Sequence, residues 1–264
     1  VVADDTAGVG TERRDVGAAS YGGDKAIFGY GIISSVTGIT NLVNNSGVVA
    51  ADVSAVGTAR RDVAAVGYGV DLAMFAYGDS GSKTNLKNLV TNQGVVGANV
   101  TGVGTARGDL AASRYGVGLG IFGYGNTGSK VSITNLVTNV GVIGTDVSGV
   151  GTARQSLAAC TFGGDKAIFG FGKDGSNETS ITNLVSNVGV VAANTTGVGA
   201  AREKLGACSF GGDKGIFAFG VDNGGGGRVS TSNLVSNSGV VASDTTGVGS
   251  ATNRLAAAGY SITA

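Results

Sequence analysis

Five arginines recur at a nearly constant interval: Arg13, Arg60, Arg107, Arg154 and Arg202. A guanidinium offers planar, always-charged donors that suit carboxylates, phosphates and sulfates. A ring of them at a channel mouth would hold an anion or a sulfated sugar. The competing reading is structural, with each Arg bridging its neighbours through backbone carbonyls. A side chain that every unit repeats in register reads as scaffold, so a structural Arg ring is expected. The recurrent carboxylates fare no better as chemistry. Two carboxylates can act as acid and base. Here Asp5, Asp52, Asp146 and Asp244 share their register with Asn99 and Asn194. A turn-capping residue tolerates that exchange, whereas a catalytic acid does not. The chain has no histidine, which removes Ser-His-Asp and Cys-His arrangements and histidine metal sites. The dinucleotide pattern Gly123-x-Gly125-x-x-Gly128 and its copy from Gly170 to Gly175 need a following helix, and a strand follows instead. No catalytic residue, metal site or cofactor is expected.

Cys160 and Cys208 occupy one register in neighbouring units. Inner strands lie too far apart for the ~4–7 Å Cα span of a disulfide, so buried free thiols are expected. Asn-x-Ser/Thr sequons at Asn44, Asn99, Asn177 and Asn194 occur at the frequency such a composition gives by chance.

The elements that position these residues are set by a repeat. Aligned on the apolar pair that opens each unit, the copies start at Val1, Val48, Val95, Val142, Val190 and Val240. They span 1–47, 48–94, 95–141, 142–189 and 190–239, with a half-unit at 240–264. Each unit opens on VVA-x-[DN] and continues through GVGTAR, a small-residue segment ending in an aromatic, DKAIFGYG, a variable stretch, and TNLV-x-N-x-G. Glycine density and the absence of a 3.6-residue period argue against helices. Four short strands per unit are expected: Val1–Ala3, Val16–Tyr21, Ala26–Tyr30 and Thr40–Val43, and their equivalents. Four-stranded units at 40–50-residue spacing predict an all-β propeller of five four-stranded blades, with six as the alternative. Overlap of N- and C-terminal strands would close the ring and hide its edges. A stacked solenoid is the runner-up, but it needs distinct end caps that neither end shows. The whole chain is read as one domain.

The unit resembles the kelch repeat. In that family an Arg precedes the inner strand and a glycine pair ends the second. The Arg is matched at the five positions above, with Thr252 departing from it. The glycine pair becomes Gly-aromatic-Gly, as in Gly29-Tyr30-Gly31, and the family's outer-strand Trp is absent. The run DKAIFGYG…TNLVSN…GVVA…GVGTAR is also similar to repeat arrays in marine phage structural proteins and marine metagenomic sequences. Those resemblances imply a propeller and a structural component of a virion or another extracellular surface.

Composition narrows the function classes. Eighteen basic and 18 acidic residues balance to zero. That disfavours nucleic acid, which needs a basic patch to displace counterions. No apolar run reaches the ~20 residues of a bilayer span. All 16 aromatics fall at three positions of the repeat, which reads as packing between units. None remains in a loop to stack on a sugar or base. Only one stretch changes length. From the glycine after the aromatic strand to the Asn of NLV the separations are 10, 10, 10, 11 and 13 (Gly31–Asn41, Gly78–Asn88, Gly125–Asn135, Gly172–Asn183, Gly220–Asn233). Loops that vary are exposed and carry function. Candidate ligand-binding residues are therefore Asp79, Lys83, Asn126, Lys130, Lys173, Asp174, Asn177, Glu178, Asp222, Asn223 and Arg228. A non-enzymatic structural or interaction protein is the favoured reading, its partners other structural proteins or surface glycans. The alternative is a multivalent lectin with one weak site per unit. The oligomeric state is left open.

Overall fold

The strands follow the repeat because each unit changes side-chain size in the same order. The computed structural model describes residues 2–222, 224 and 227–260, and these contain strands and no helix. In the first unit, small residues form β1 (Gly17–Tyr21), the aromatic segment β2 (Lys25–Gly29) and the Asn-Leu-Val segment β3 (Thr40–Val43). They pair antiparallel in the order β1-β2-β3, with Phe28 opposite Asn41. The pattern recurs in β4 (Ala64–Tyr68), β5 (Leu72–Ala76) and β6 (Lys87–Val90), and in β7 (Ala111–Tyr115), β8 (Leu119–Gly123) and β9 (Thr134–Val137). The fourth unit has β10 (Ala158–Phe162), β11 (Lys166–Gly170) and β14 (Thr182–Val185). Its variable loop adds β12 (Lys173–Asp174) and β13 (Asn177–Glu178). The fifth has β15 (Gly206–Phe210), β16 (Lys214–Ala218) and β19 (Ser232–Val235), with β17 (Val221–Asp222) and β18 (Gly227–Arg228) in the loop.

The expectation of five four-stranded blades is overturned. The chain forms five three-stranded and two two-stranded antiparallel sheets, and none closes on itself. The VVA segment makes no continuous fourth strand. It touches the preceding Asn-Leu-Val strand at isolated bridges, Val43↔Val49 and Thr40↔Val53 in the first copy. Between those bridges one side advances three residues (43 to 40) and the other four (49 to 53), so one residue is left over as a bulge. Asn41 holds the bulge: its Nδ2 donates to the Ala50 carbonyl (3.1 Å) and to Asp52 Oδ1 (2.9 Å). Asn88, Asn135, Asn183 and Asn233 do the same in their units. Of the first predicted strand, Val1 lies outside the described residues.

Closure by overlapping terminal strands is also corrected. The two ends meet, but no strand runs through 250–260. Their contacts are Ser250 N–H to Asp5 Oδ2 (2.9 Å), Arg254 Nη1 to Asp15 Oδ2 (2.9 Å) and Ser20 Oγ to the Gly259 carbonyl (2.7 Å). The inner segments nevertheless form a cycle of backbone bonds. Asp62 N–H donates to the Asp15 carbonyl, Asp109 to Asp62, Ser156 to Asp109, Lys204 to Ser156, Arg254 to Lys204, and Asp15 to Arg254, all at 2.8–3.3 Å. All six residues have left-handed φ of 54–59°. Hydrophobic clusters fill the seams between successive units. One joins Tyr21, Ile27 and Tyr30 of the first to Val63, Phe75 and Val90 of the second, and the other three repeat it.

Candidate functional site

Side chains that recur in register are consumed inside the fold. Arg107 is fully buried. Its Nε donates to the Tyr124 carbonyl (2.9 Å), Nη1 to the Thr105 carbonyl (3.1 Å) and Nη2 to Asn135 Oδ1 (2.7 Å). The guanidinium also lies over the Tyr77 ring of the preceding unit, 4.4 Å from its centroid. Arg60 sits over Tyr30, Arg154 over Tyr124 and Arg202 over Phe171 in the same way. The carbonyls it binds thus belong to its own unit, and the aromatic face supplies the link to the preceding one. Each overlain aromatic then meets the following unit's Phe edge-on or tilted, as in Tyr77–Phe122 at 5.3 Å. Arg13, whose preceding unit is incomplete, keeps the carbonyl and Asn41 bonds but is less buried. Burial lowers the Arg202 guanidinium to about 10, which leaves it charged at neutral pH.

The recurrent Asp and Asn residues cap glycine turns across a unit boundary. Asp52 accepts from Thr11 N–H (3.1 Å) and Thr11 Oγ1 (2.6 Å), and Asp146 from Thr105 in the same way. Asn99 and Asn194 take the same place with Thr58 and Thr152.

The variable loops lie beside the inner cycle at one end of the molecule. Each loop pairs with the segment just before the left-handed residue, as in Arg61↔Asp79 and Gly108↔Asn126. Asp79 pairs with Lys83 at 3.0 Å, and Lys83 Nζ also lies 3.9 Å from Asp109. Asn126 donates to Gln155 Oε1 (2.5 Å), and Lys130 reaches the next loop at the Gly175 carbonyl (2.7 Å). Lys173 meets Glu178 at 3.5 Å, and Asp174 opposes Asn177 in the added hairpin. Asp222 accepts from Gly224 N–H (2.9 Å). Arg228 is exposed and stands apart, along a groove with Asp244 and Thr245. Asn223 lies outside the described residues. The structure thus links Asp79, Lys83, Asn126, Lys130 and the β12–β13 loop into one rim, and does not gather these residues into a pocket.

One position was missed by reading the sequence for recurrence. Asp15, Asp62, Asp109, Ser156, Lys204 and Arg254 occupy one register and together line the cavity at the loop end of the cycle. The column changes from three acids through a hydroxyl to two bases, so the mouth is acidic on one side and basic on the other. Burial pushes the Asp62 carboxyl up to about 7, with Asp109 and Asp15 adding like charge. Burial raises Asp109 as well. A comparison of this column across units would have found it. At the opposite end the cavity wall is alanine, glycine, serine, Val66, Arg114, Thr161 and the two cysteines. Burial pushes the Cys208 thiol up to about 11 and raises Cys160 also.

Among the described residues no group of three His, Cys, Asp or Glu is placed to hold a metal ion, and no helix is long and apolar enough to cross a membrane. No protein-family model matches the chain, and no curated protein matches it.

Proposed function

We propose that this chain is a non-enzymatic structural or interaction protein that displays its rim loops to a protein partner, as part of a virion or another extracellular surface. One observation carries the reading: the polar side chains that recur are bonded within the fold, while Asp79, Lys83, Asn126, Lys130 and the β12–β13 loop, which differ between units, lie on one rim beside the charged mouth. A lectin with one site per unit needs the same donors in each loop. The loops instead offer Asp79 and Lys83, then Asn126 and Lys130, then Lys173 and Glu178. The rim is suited to a single asymmetric partner, with the acidic and basic halves of the mouth setting its orientation.

The experiment pairs a glycan array with cross-linking in the native assembly. The array is expected to stay blank. Cross-links from Lys83, Lys130 and Lys173 are expected to reach one partner protein and to disappear when loops 79–83 and 126–130 are replaced by Gly-Ser. Glycan binding at several equivalents per chain would replace this reading with the lectin.

A further inference from the structure

The axial column leaves acceptors over on one side of the mouth and donors over on the other. In a closed cycle of six, members three steps apart face one another, so Asp62 faces Lys204 and Asp109 faces Arg254 across the cavity. Val63, Leu110, Leu157 and Leu205 share the cavity wall and are buried. The charges are thus held against apolar surface, where one without a partner is costly.

Most of the acidic side is already bonded. Asp15 Oδ2 accepts from Arg254 Nη1 at 2.9 Å, and Asp109 has Ser156 Oγ at 3.5 Å and Lys83 Nζ at 3.9 Å. Asp62 is different. Its side chain is only 13% exposed, and its one ion-pair contact among the described residues is Arg61 Nε at 3.5 Å. Its carboxylate, with room for several donors, accepts no hydrogen bond from the described residues. On the other side donors are in excess. Lys204 spends one N–H on Glu203 at 3.0 Å, and Arg254 spends one on Asp15. An ammonium has three such donors and a guanidinium five.

We infer that the mouth is a binding site for a small zwitterion, a short amino acid whose ammonium donates to Asp62 and whose carboxylate is taken by Lys204 and Arg254. Simpler ligands satisfy only half of it. Among the described residues no three acids are placed to hold a metal ion. An inorganic anion brings Asp62 no donor, and a plain amine leaves the basic side unused. The Asp62 carboxyl behaves as an acceptor without a donor. Burial, then Asp109 and Asp15, push it up to about 7 against the opposing pull of Lys83 and Arg61. The ring also limits the ligand's length. Strand-like spacing of about 4.8 Å between neighbours sets opposite members roughly 10 Å apart, and their side chains leave room for about three or four bonds between the ligand's nitrogen and its carboxyl carbon. The site belongs to the inner cycle and needs no partner protein, so it stands or falls apart from the reading of the rim loops.

The test is calorimetric titration of the intact chain at pH 8, where Asp62 is ionised, with γ-aminobutyrate, n-butylamine and butyrate in turn. One-to-one binding of γ-aminobutyrate is expected with a dissociation constant of about 1 mM or tighter, at least about tenfold below that of either single-charge analogue. Amide resonances of Asp62 and Lys204 are expected to shift along the same titration. Asp62→Asn keeps the side chain's shape, and Lys204→Gln keeps a donor for Glu203. Each is expected to weaken γ-aminobutyrate at least about tenfold, with the melting curve showing the variant folded. Absence of binding by about 10 mM, an analogue that binds as tightly, or an affinity unchanged by Asp62→Asn would overturn the proposal.

Discussion

At the scale of single residues, the alternation of Asp and Asn at one register has a measurable consequence. Where the residue is Asp52, Asp146 or Asp244, the Arg Nη2 of the preceding unit bonds that unit's NLV Asn at 2.6–2.7 Å. Where it is Asn99 or Asn194, Arg60 Nη2 with Asn88 Oδ1, and Arg154 Nη2 with Asn183 Oδ1, are buried without partners. A carboxylate accepts only, so it fixes which way the neighbouring amide points and adds attraction to the Arg. Asn99→Asp is therefore expected to stabilise by about 0.5–1 kcal/mol at neutral pH, and Asp146→Asn to cost a similar amount, both read from urea midpoints. No change in either would detach the carboxylate from the Arg–Asn bond. Asp62 gives a second residue-scale test. Its folded carboxyl titrates near 7, above the ordinary 3.8. Between those values the folded chain holds a proton that the unfolded chain has released, so this group's stabilisation is complete below about pH 4 and lost as pH rises through 7. Asp52 and Asp146 are shifted downward, so their contributions vanish as pH falls below 4 and leave the window between free. Asp62→Asn is expected to flatten the decline in melting temperature from pH 5 to pH 8. A decline of unchanged slope would exclude Asp62 as its source.

At the scale of elements, the Gly-aromatic-Gly turn decides where each middle strand ends. Tyr124 and Gly125 take φ of 63° and 106° in succession, and the Gly125 N–H reaches the Arg154 carbonyl of the next unit at 3.0 Å. A Cβ at Gly125 would meet the Gly108 carbonyl at 2.7 Å and Leu110 Cβ at 2.9 Å. Gly128, at φ 116°, has nothing within 4 Å. Gly128→Ala is expected to cost about 1 kcal/mol from backbone strain alone, and Gly125→Ala about 2 kcal/mol or more from strain and clash together. Equal costs would show that the seam yields to the methyl. These elements also mark what was readable in the sequence. The alternation of Ala26, Phe28 and Tyr30 and the Thr40–Val43 run place their strands to within a residue. The fourth strand fails because a VVA pair looks like a strand whether or not its partner keeps register. The register is broken by one Asn side chain reaching across to Ala50, and no local pattern encodes that reach. Loop lengths marked the segments that vary between units, but not which of their side chains the fold links, since Arg228 stands apart from Asp79, Lys83, Asn126 and Lys130. The axial column escaped because it is chemically inconstant, and a search for recurring residues passes over such a position.

At the scale of the whole molecule, the chain's order matters less than its cycle. Six inner residues bond one another in a closed succession, and the step from Arg254 to Asp15 is made by the same backbone bond as the others, at 3.0 Å. A buried carboxylate strengthens that step: Asp15 Oδ2 accepts from Arg254 Nη1 at 2.9 Å, where the other five steps have no such ion pair between the successive axial residues. Outside it, Asp5 caps the Ser250 turn just as Asp52 caps Thr11. The seam between the two ends thus shares with the internal seams the axial backbone bond and the Asp cap. A circular permutant follows, with the ends joined by a short Gly-Ser linker and new ends opened between Gly175 and Ser176, in a loop that tolerates insertion. It keeps the cycle and trades one loop connection for another. Its melting temperature is expected to stay within a few degrees of the parent, because loop-closure entropy changes only slowly with length. Arg254→Glu sets like charge against the buried Asp15 at the seam that the permutant makes covalent. It is expected to melt earlier in the parent than in the permutant. If the permutant does not fold, or Arg254→Glu lowers both equally, the molecule is held by its sequential seams and the bond from end to end is incidental.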